Sequence, residues 1–442
     1  MSAFADEIIP LGMTGDYING LGFKEADWSS EGLPIIRIQN LTNSAKPFNR
    51  TLREVDDRFK VQNGDILVSW SATLDAFIWR RGAAILNQHI FKVVPDTERV
   101  EPGFLFYQLK SIIWQMSHGE HAHGSTMKHI NRKPFLSHPF WCPALSQQRE
   151  IASKLDRSFS GLENSEKQLQ HLQSKLKRAR ASILKAAVDG KLCMHDNAIS
   201  GSTETKDHIN KWEQEINALK YKNRTSNRSP GKKQHTCLQS CADEKGWIQA
   251  TVSEIANVQL GRQRSPKDHN GPWMTPYLRA ANITWDGLAL VDVNSMNFDP
   301  SERERFALKV GDILLNEASG SASEVGKPAI WRGEIPDCCF QNTLLRVRTI
   351  PSLQRWILLH FVADAKSGHF SRSSKGVGIH HLSANTLSAH IIRIPPPEQQ
   401  ERIVAEVDRR FSVLDQVEAT VTTSLARCVK LRQAILKRAF GG

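Results

Sequence analysis

Residues 146–162 read SQQREIASKLDRSFSGL, and residues 398–414 read EQQERIVAEVDRRFSVL. Further along, ILKAAVDG at 183–190 returns as ILKRAFGG at 435–442. Both matches keep one separation, 252 positions, with no gap between them. So rigid a duplication implies two halves related by an internal two-fold, and a two-fold binding protein usually takes a partner with two halves.

Counted in heptads from Leu162, the first copy places Leu162, Leu169, Leu176 and Ile183 at a positions, with Leu172 among the d positions. The second places Leu414, Val421, Cys428 and Ile435 at a, with Val417 and Leu431 at d. Apolar or small residues fill nearly all these sites over about four heptads, which is a coiled-coil seam. Gly190 and Gly441 stand where C-terminal caps belong. The alternative is that each helix packs only on its own domain. The unbroken seam in both copies favours pairing of the two long helices, antiparallel under the two-fold. A shorter helix is expected before each, because Ile151, Leu155 and Phe159 share a face, as do Ile403, Val407 and Phe411. The long helix, at about 161–189, would extend about 40 Å at 1.5 Å per residue, equivalent to about twelve base pairs. Basic residues lie mostly off the seam, at Lys167, Lys175, Lys177, Arg178, Arg180 and Lys185. They suit either phosphates or a solvated face.

Upstream the duplication loosens but keeps its order. Leu33-Pro-Ile-Ile-Arg-Ile-Gln-Asn40 answers Thr275-Pro-Tyr-Leu-Arg-Ala-Ala-Asn282, and Gly-Asp-Ile-Leu occurs at 64–67 and 311–314. Leu86-Asn-Gln-His-Ile-Phe-Lys-Val93 answers Phe340-Gln-Asn-Thr-Leu-Leu-Arg-Val347. Gly124-Ser-Thr-Met-Lys-His-Ile130 answers Gly376-Val-Gly-Ile-His-His-Leu382. Each half is therefore a variable domain followed by a near-invariant helix. Short β-like runs and one amphipathic helix per copy (104–116, 353–363) predict a mixed α/β (α+β) domain. The expected division is a variable domain at 1–140, a helical segment at 141–195 and a polar linker at 196–245. A second variable domain then spans 246–393, and a second helical segment 394–442. The linker reads as a tether, with a short helix near 209–221.

The chain has 442 residues, a net charge of +12, 40% hydrophobic and 24% charged residues. That length suits two to four packed units, and the charge favours an anionic partner, nucleic acid first. No apolar run approaches a membrane span. Asp6 and Glu7 stand where a secretory signal would carry basic and apolar residues. Seven scattered cysteines do not form a disulfide framework, so a cytoplasmic protein is expected.

Polar loops recur at matching places in the two variable domains. The first-domain candidates for DNA contact are Tyr17, Lys24, Arg37, Asn40, Ser69, Ser71, Thr73, Ser125, Lys128 and His129. Those of the second are Arg262, Gln263, Arg264, Lys267, Arg279, Asn282, Ser321, Ser323, Ser374, Lys375, His380 and His381. These side-chain types reach phosphates and base edges, although an isolated polar residue is more often a solvated loop.

Catalytic signatures fail on inspection. Gly320-Ser-Ala-Ser-Glu-Val-Gly-Lys-Pro328 has its second glycine one residue late for a phosphate loop, and Pro328 replaces the magnesium-binding hydroxyl. Gly376-Val-Gly-Ile lacks the third glycine of a dinucleotide turn. Pro395-Pro-Pro397 is not an amino-methyltransferase clamp, and Asp312 with Glu317 lacks the lysine of a nuclease core. His235, Cys237 and Cys241, and separately His118, His121 and His123, have no familiar metal spacing. No metal site and no catalytic residue are expected.

The duplicated order of Gly-Asp-Ile-Leu, Gly-Ser-Thr-Met-Lys-His-Ile and Pro-x-x-x-Gln-Gln-x-x-Ile resembles the specificity subunit of type I restriction-modification enzymes. The last motif appears as Pro143-Ala-Leu-Ser-Gln-Gln-Arg-Glu-Ile151 and as Pro395-Pro-Pro-Glu-Gln-Gln-Glu-Arg-Ile403. The resemblance covers nearly the whole chain. It departs at residues 1–23, which lack the tryptophan-led opening seen at Trp247. It implies two target-recognition domains that each read half of a bipartite site on double-stranded DNA. The helices would act as spacer and dock two methyltransferase (modification) subunits. It implies no cofactor on this chain: S-adenosylmethionine belongs to the methyltransferase partner, and ATP and magnesium to restriction/translocase subunits. Rival readings are the specificity subunit of a methylase-only or type IIB-like system, and a coiled-coil adaptor without sequence-specific DNA binding.

Overall fold

A computed structural model describes residues 7–118, 129–192, 203–224, 246–372 and 380–441. The chain divides into two compact units, Met1–Leu172 with Thr420–Gly442, and Gln173–Ala419.

In the first unit a four-stranded antiparallel sheet runs in the order Gly15–Asn19, Ile90–Pro95, Ile66–Ser69, Asp75–Ile78. The strand Ile66–Ser69 is buried on both faces. Side chains alternate along a strand, so Ile66 and Val68 join the core under the helix Pro102–His118 while Leu67 joins a second core with Ile36, Trp79 and Leu86. That second core is closed by a smaller sheet, Asn49–Thr51, Leu33–Ile36, Ala84–Leu86 and Lys60–Val61. Strands Glu7–Pro10 and Pro139–Cys142 pair and tie the two ends of the domain together.

The second unit repeats this plan. Its main sheet runs Ala256–Leu260, Leu344–Thr349, Ile313–Asn316, Pro328–Ile330. Ile313 and Leu315 face the core of the helix Pro351–Lys366, and Leu314 faces the core of a smaller sheet made of Asn294–Asn297, Met274–Leu278 and Cys339–Phe340. Ile248–Thr251 pairs with Ile391–Ile394, so the missing tryptophan at the start of the first copy leaves the strand pairing unchanged.

The shared motifs prove to be framework. In Gly-Asp-Ile-Leu, Gly64 and Gly311 turn the chain at φ of 99° and 91°, a region that favours glycine. The following aspartate accepts a backbone N–H from Gln62 at 2.8 Å in one copy and from Lys309 at 2.7 Å in the other. It is also ion-paired to a base on the neighbouring strand. Lys92 lies 3.0 Å from Asp65, and Arg348 lies 2.6 Å from Asp312, whose side chain is 1% exposed. In Pro-x-x-x-Gln-Gln, the buried amides of Gln148 and Gln400 donate to the carbonyls of Pro143 and Pro395, at 2.7 and 2.9 Å. They pin the start of each long helix to its domain.

The long helices differ from expectation in one respect. The segments around 151–159 and 403–411 are not separate helices; each long helix is continuous for 44 residues, Leu145–Val188 and Pro397–Phe440. Between its first residue and its last, the second contains neither proline nor glycine, and Gly161 in the first meets open space, so nothing breaks either helix. At 1.5 Å per residue each is about 66 Å long. The faces simply change partner along the axis: Ala152, Leu155 and Phe159 enter the first unit's core before the heptad positions begin. Gly190, at φ of 71°, caps the first helix; its N–H and that of Lys191 bond to the carbonyls of Ala187 and Ala186.

Pairing of the helices is visible inside each unit. In the first, Leu162, Ile435 and Leu436 pack against one core, and Glu166 bonds Arg432 at 2.9 Å. Further along, Leu169 and Leu172 line a trough with Cys428 and Leu431. In the second, Arg180 pairs with Asp415 and, at 2.9 Å, with Glu418, while Leu184 lines a pocket with Val404, Val407 and Phe411. As residue numbers rise on one helix they fall on the other, so the pairing is antiparallel. Leu176 and Val421 are buried, whereas Ile183, Leu414 and Val417 are half-buried. Leu431 is the exception among the expected seam residues: it is 44% exposed, because the trough beside it, of about 470 Å³, stays open.

The linker also departs from a tether. Residues Thr203–Arg224 form a helix, longer than expected, that buries Ile209, Trp212 and Ile216 in the second unit's core with Trp247 and Val252. Three apolar residues at helical spacing outweighed a polar composition. Among the described residues no helix is long and apolar enough to cross a membrane.

Candidate DNA-recognition surface

Three loops meet at one end of the main sheet in the first unit. The chain leaving the strand Gly15–Asn19 is held by Leu21 N–H on the carbonyl of Leu86, and Gln88 N–H returns to the carbonyl of Leu21. Trp70 N–H donates to the carbonyl of His89, and Ile130 N–H donates to the carbonyl of Trp70. Ser71 and His129 form a β-bridge.

The second unit reproduces each tie. Arg262 N–H bonds the carbonyl of Phe340, Asn342 N–H that of Arg262, Glu317 N–H that of Thr343, and Leu382 N–H that of Glu317. Ala318–Ser319 pairs with His380–His381 as Ser71 does with His129. Gly20 and Gly261 permit the close crossing: a Cβ there would lie 2.1 and 2.2 Å from the carbonyl oxygens of Asn87 and Gln341. Gly-free positions bend too, since Ala72 adopts a φ of 59°, a strained value of the kind that collects at binding loops.

The same main-chain frame carries different side chains in the two units. In the first, the Trp70 ring lies 5.3 Å from the His89 ring and 6.4 Å from that of His129, and its indole N–H reaches Asn19. In the second, Glu317 stands at the tryptophan's place and contacts His381 at 3.2 Å. Lys24, Thr73, His129, Gln263, Arg264, Lys267, Ser321, Ser323 and His381 are exposed, and His380 is half-buried. Arg264 is steadied by His269 at 3.1 Å. Ser125, Lys128, Ser374 and Lys375 lie outside the described residues.

Other residues expected to contact DNA belong to the scaffold instead. Tyr17 is 5% exposed, its hydroxyl 2.8 Å from that of Thr14, and burial pushes its phenol pKa up. Ser69 is fully buried and donates to the carbonyl of Ser71, itself 5% exposed. Asn40 and Asn282 are buried and do one job in both copies. Each accepts the N–H of the arginine three residues earlier, Arg37 or Arg279, and each donates its amide to two carbonyls of the following loop. Arg279 is further paired to Asp292. Arg262 is held by Asp268 at 3.1 Å and Glu302 at 2.7 Å, with its guanidinium over Phe298. A repeated Arg-x-x-Asn was a sign of framework, since reading loops would differ between halves.

One element of the surface went unrecognised: the segments 87–89 and 341–343, which tie the loops together. They sit inside a duplicated landmark and include Gln88, which is exposed. The Oδ1 of Asn87 and the Nδ1 of His89 are buried and find no protein partner among the described residues.

The family model for the type I restriction modification DNA specificity domain matches residues 14–174 and 244–425. The type I restriction enzyme EcoBI specificity subunit of Escherichia coli is 22% identical, covering 98% of this chain and 85% of that protein. The EcoKI specificity subunit of Escherichia coli strain K12 is 23% identical over 98% of this chain and 88% of its own length. A solved chain from work on "complex assembly and conformational transition of the type I R-M system" superposes with a TM-score of 0.67. It is 16% identical, covers 98% of this chain and 97% of its own, and supports the fold alone. With both copies of the duplication matched, this chain belongs to the family of type I restriction modification DNA specificity domains.

Proposed function

We propose that each unit reads one half of a bipartite sequence on double-stranded DNA, so that the chain supplies the address for a type I restriction-modification complex. The observation that carries this reading is the duplicated loop frame, which presents Trp70, His89 and His129 in one unit and Glu317, Thr343 and His381 in the other. One frame with two sets of side chains suits two different half-sites, because base edges are distinguished by the donor and acceptor groups that meet them. The net charge of +12 supplies attraction to phosphates irrespective of sequence.

In this reading the chain performs no chemistry. Two modification subunits, which would carry S-adenosylmethionine, dock on the long helices, and ATP-dependent restriction subunits join them. The open trough at Leu169, Leu172, Cys428 and Leu431, with Val429 exposed nearby, supports a docking role for the helices.

A domain exchange tests the proposal. Residues 246–393 are replaced by the matching segment of a relative with a different target, and methylated adenines are mapped in host DNA. One half-site should change and the other persist. Change in both, or in neither, would overturn independent reading.

A further inference from the structure

The second unit holds a side-chain cluster that the reading of DNA does not use. His360 and Asp364 stand one turn apart on the helix Pro351–Lys366 and therefore share a face. His390 approaches from the segment before the strand Ile391–Ile394. The Oδ2 of Asp364 lies 2.7 Å from Nδ1 of His360 and 2.8 Å from Nε2 of His390. One ligand atom from each residue lies within 4.8 Å of the others. His360 is buried, and the side chains of His390 and Asp364 are 10% and 15% exposed. Phe361 and Phe370 wall the cluster, and the exposed His369 has its ring 5.1 Å from that of His390.

The first unit shows that the fold does not need these residues. Its helix Pro102–His118 can be matched by contacts: Tyr107 bonds Asp156 where Arg355 bonds Asp408, the two aspartates being equivalent. His360 and Asp364 then fall opposite Ile112 and Met116, which pack in the first core. His138, opposite His390, has its Nδ1 2.9 Å from the carbonyl oxygen of Pro139. Apolar packing fills the place in one copy, and two imidazoles with a carboxylate fill it in the other.

We propose that His360, Asp364 and His390 form a binding site for a first-row divalent cation, zinc by preference, that braces the second unit alone. Two imidazoles and one carboxylate suit zinc at about 2.0–2.2 Å from each ligand, with a fourth position for water or His369. Tetrahedral spacing at those bond lengths needs all three ligand atoms about 3.3–3.6 Å apart, reached by small side-chain shifts from the present contacts of 2.7 and 2.8 Å. Ligation needs neutral imidazoles and an ionised carboxylate, so affinity falls as pH falls. Burial pushes the Asp364 carboxyl up, but the hydrogen bonds from His360 and His390 outweigh it and hold the group well below the usual carboxylate range.

The full chain, stripped with chelator, is titrated with cobalt(II) and then zinc, following the visible cobalt absorption and the thermal midpoint. One equivalent should bind, zinc should displace cobalt, and the midpoint should rise. His360→Gln, Asp364→Asn and His390→Gln should each weaken binding at least about a hundredfold, while His138→Gln should leave it unchanged. Folded wild-type chain without a cobalt band, or His390→Gln and His360→Gln variants that bind as wild type does, would overturn the site. The wild-type titration decides the matter even if a variant misfolds.

Discussion

Arg262 and Arg264 lie two positions apart and serve different ends. Arg262 is locked between Asp268 and Glu302, with 12% of its side chain exposed. Arg262→Ala should destabilise the second unit by about 3 kcal/mol, because it strands two carboxylates; urea unfolding measures this. Arg264 is exposed, so Arg264→Ala should leave stability unchanged and weaken DNA binding. A lost phosphate contact lowers the salt slope by about one, and a lost base contact costs about 1–3 kcal/mol and relaxes one position of the target. Salt-dependent binding to specific and random duplexes separates these outcomes. The sequence named both arginines as alike, because composition reports which side chains are able to reach DNA and says nothing of partners 6 and 40 positions away. Asn40 and Asn282 were misassigned for the same reason, although their identical spacing from Arg37 and Arg279 already marked a repeated turn.

At the scale of elements, periodicity was the reliable guide. The seam was legible because apolar residues recur at heptad spacing in both copies, and Leu176 in one and Val421 in the other are buried. The continuity of the helices was not, since Ile151, Leu155 and Phe159 face a different partner and so look like a separate helix. Leu176→Asp buries a charge without a counter-ion and should cost about 3–5 kcal/mol, seen as a lower thermal midpoint and as loss of soluble complex with the modification subunits. The helix Thr203–Arg224 makes an opposite claim to that of a tether. Trp212 is 4% exposed, so Trp212→Ala should cost about 3–5 kcal/mol in urea unfolding. A flexible tether would tolerate the change.

For the molecule as a whole, the proposed spacer role ties helix length to the gap between half-sites. Adding one heptad after Leu169 and another after Val421 keeps the seam in register. Each helix gains about 10 Å, or about three base pairs, which also turns the second half-site by roughly 100° around the duplex. Selection from DNA with randomised spacers should return a longer gap for the double insertion. An active double insertion that keeps the original gap would leave the helices as a docking platform only. A single insertion should misalign the seam and lower stability. The duplication that suggests this experiment was plain from the 252-residue repeat, whereas the loop convergence was hidden, because it depends on hydrogen bonds between segments far apart in the chain, such as Arg262 with Asn342. Those bonds run from main chain to main chain. Leu21 to Leu86, Ile130 to Trp70 and their counterparts hold the loops irrespective of the side chains they carry. Substitution at the reading positions is therefore nearly neutral for folding, and the lineage is free to drift among targets by point mutation, one half-address at a time, without first passing through an unstable ancestor.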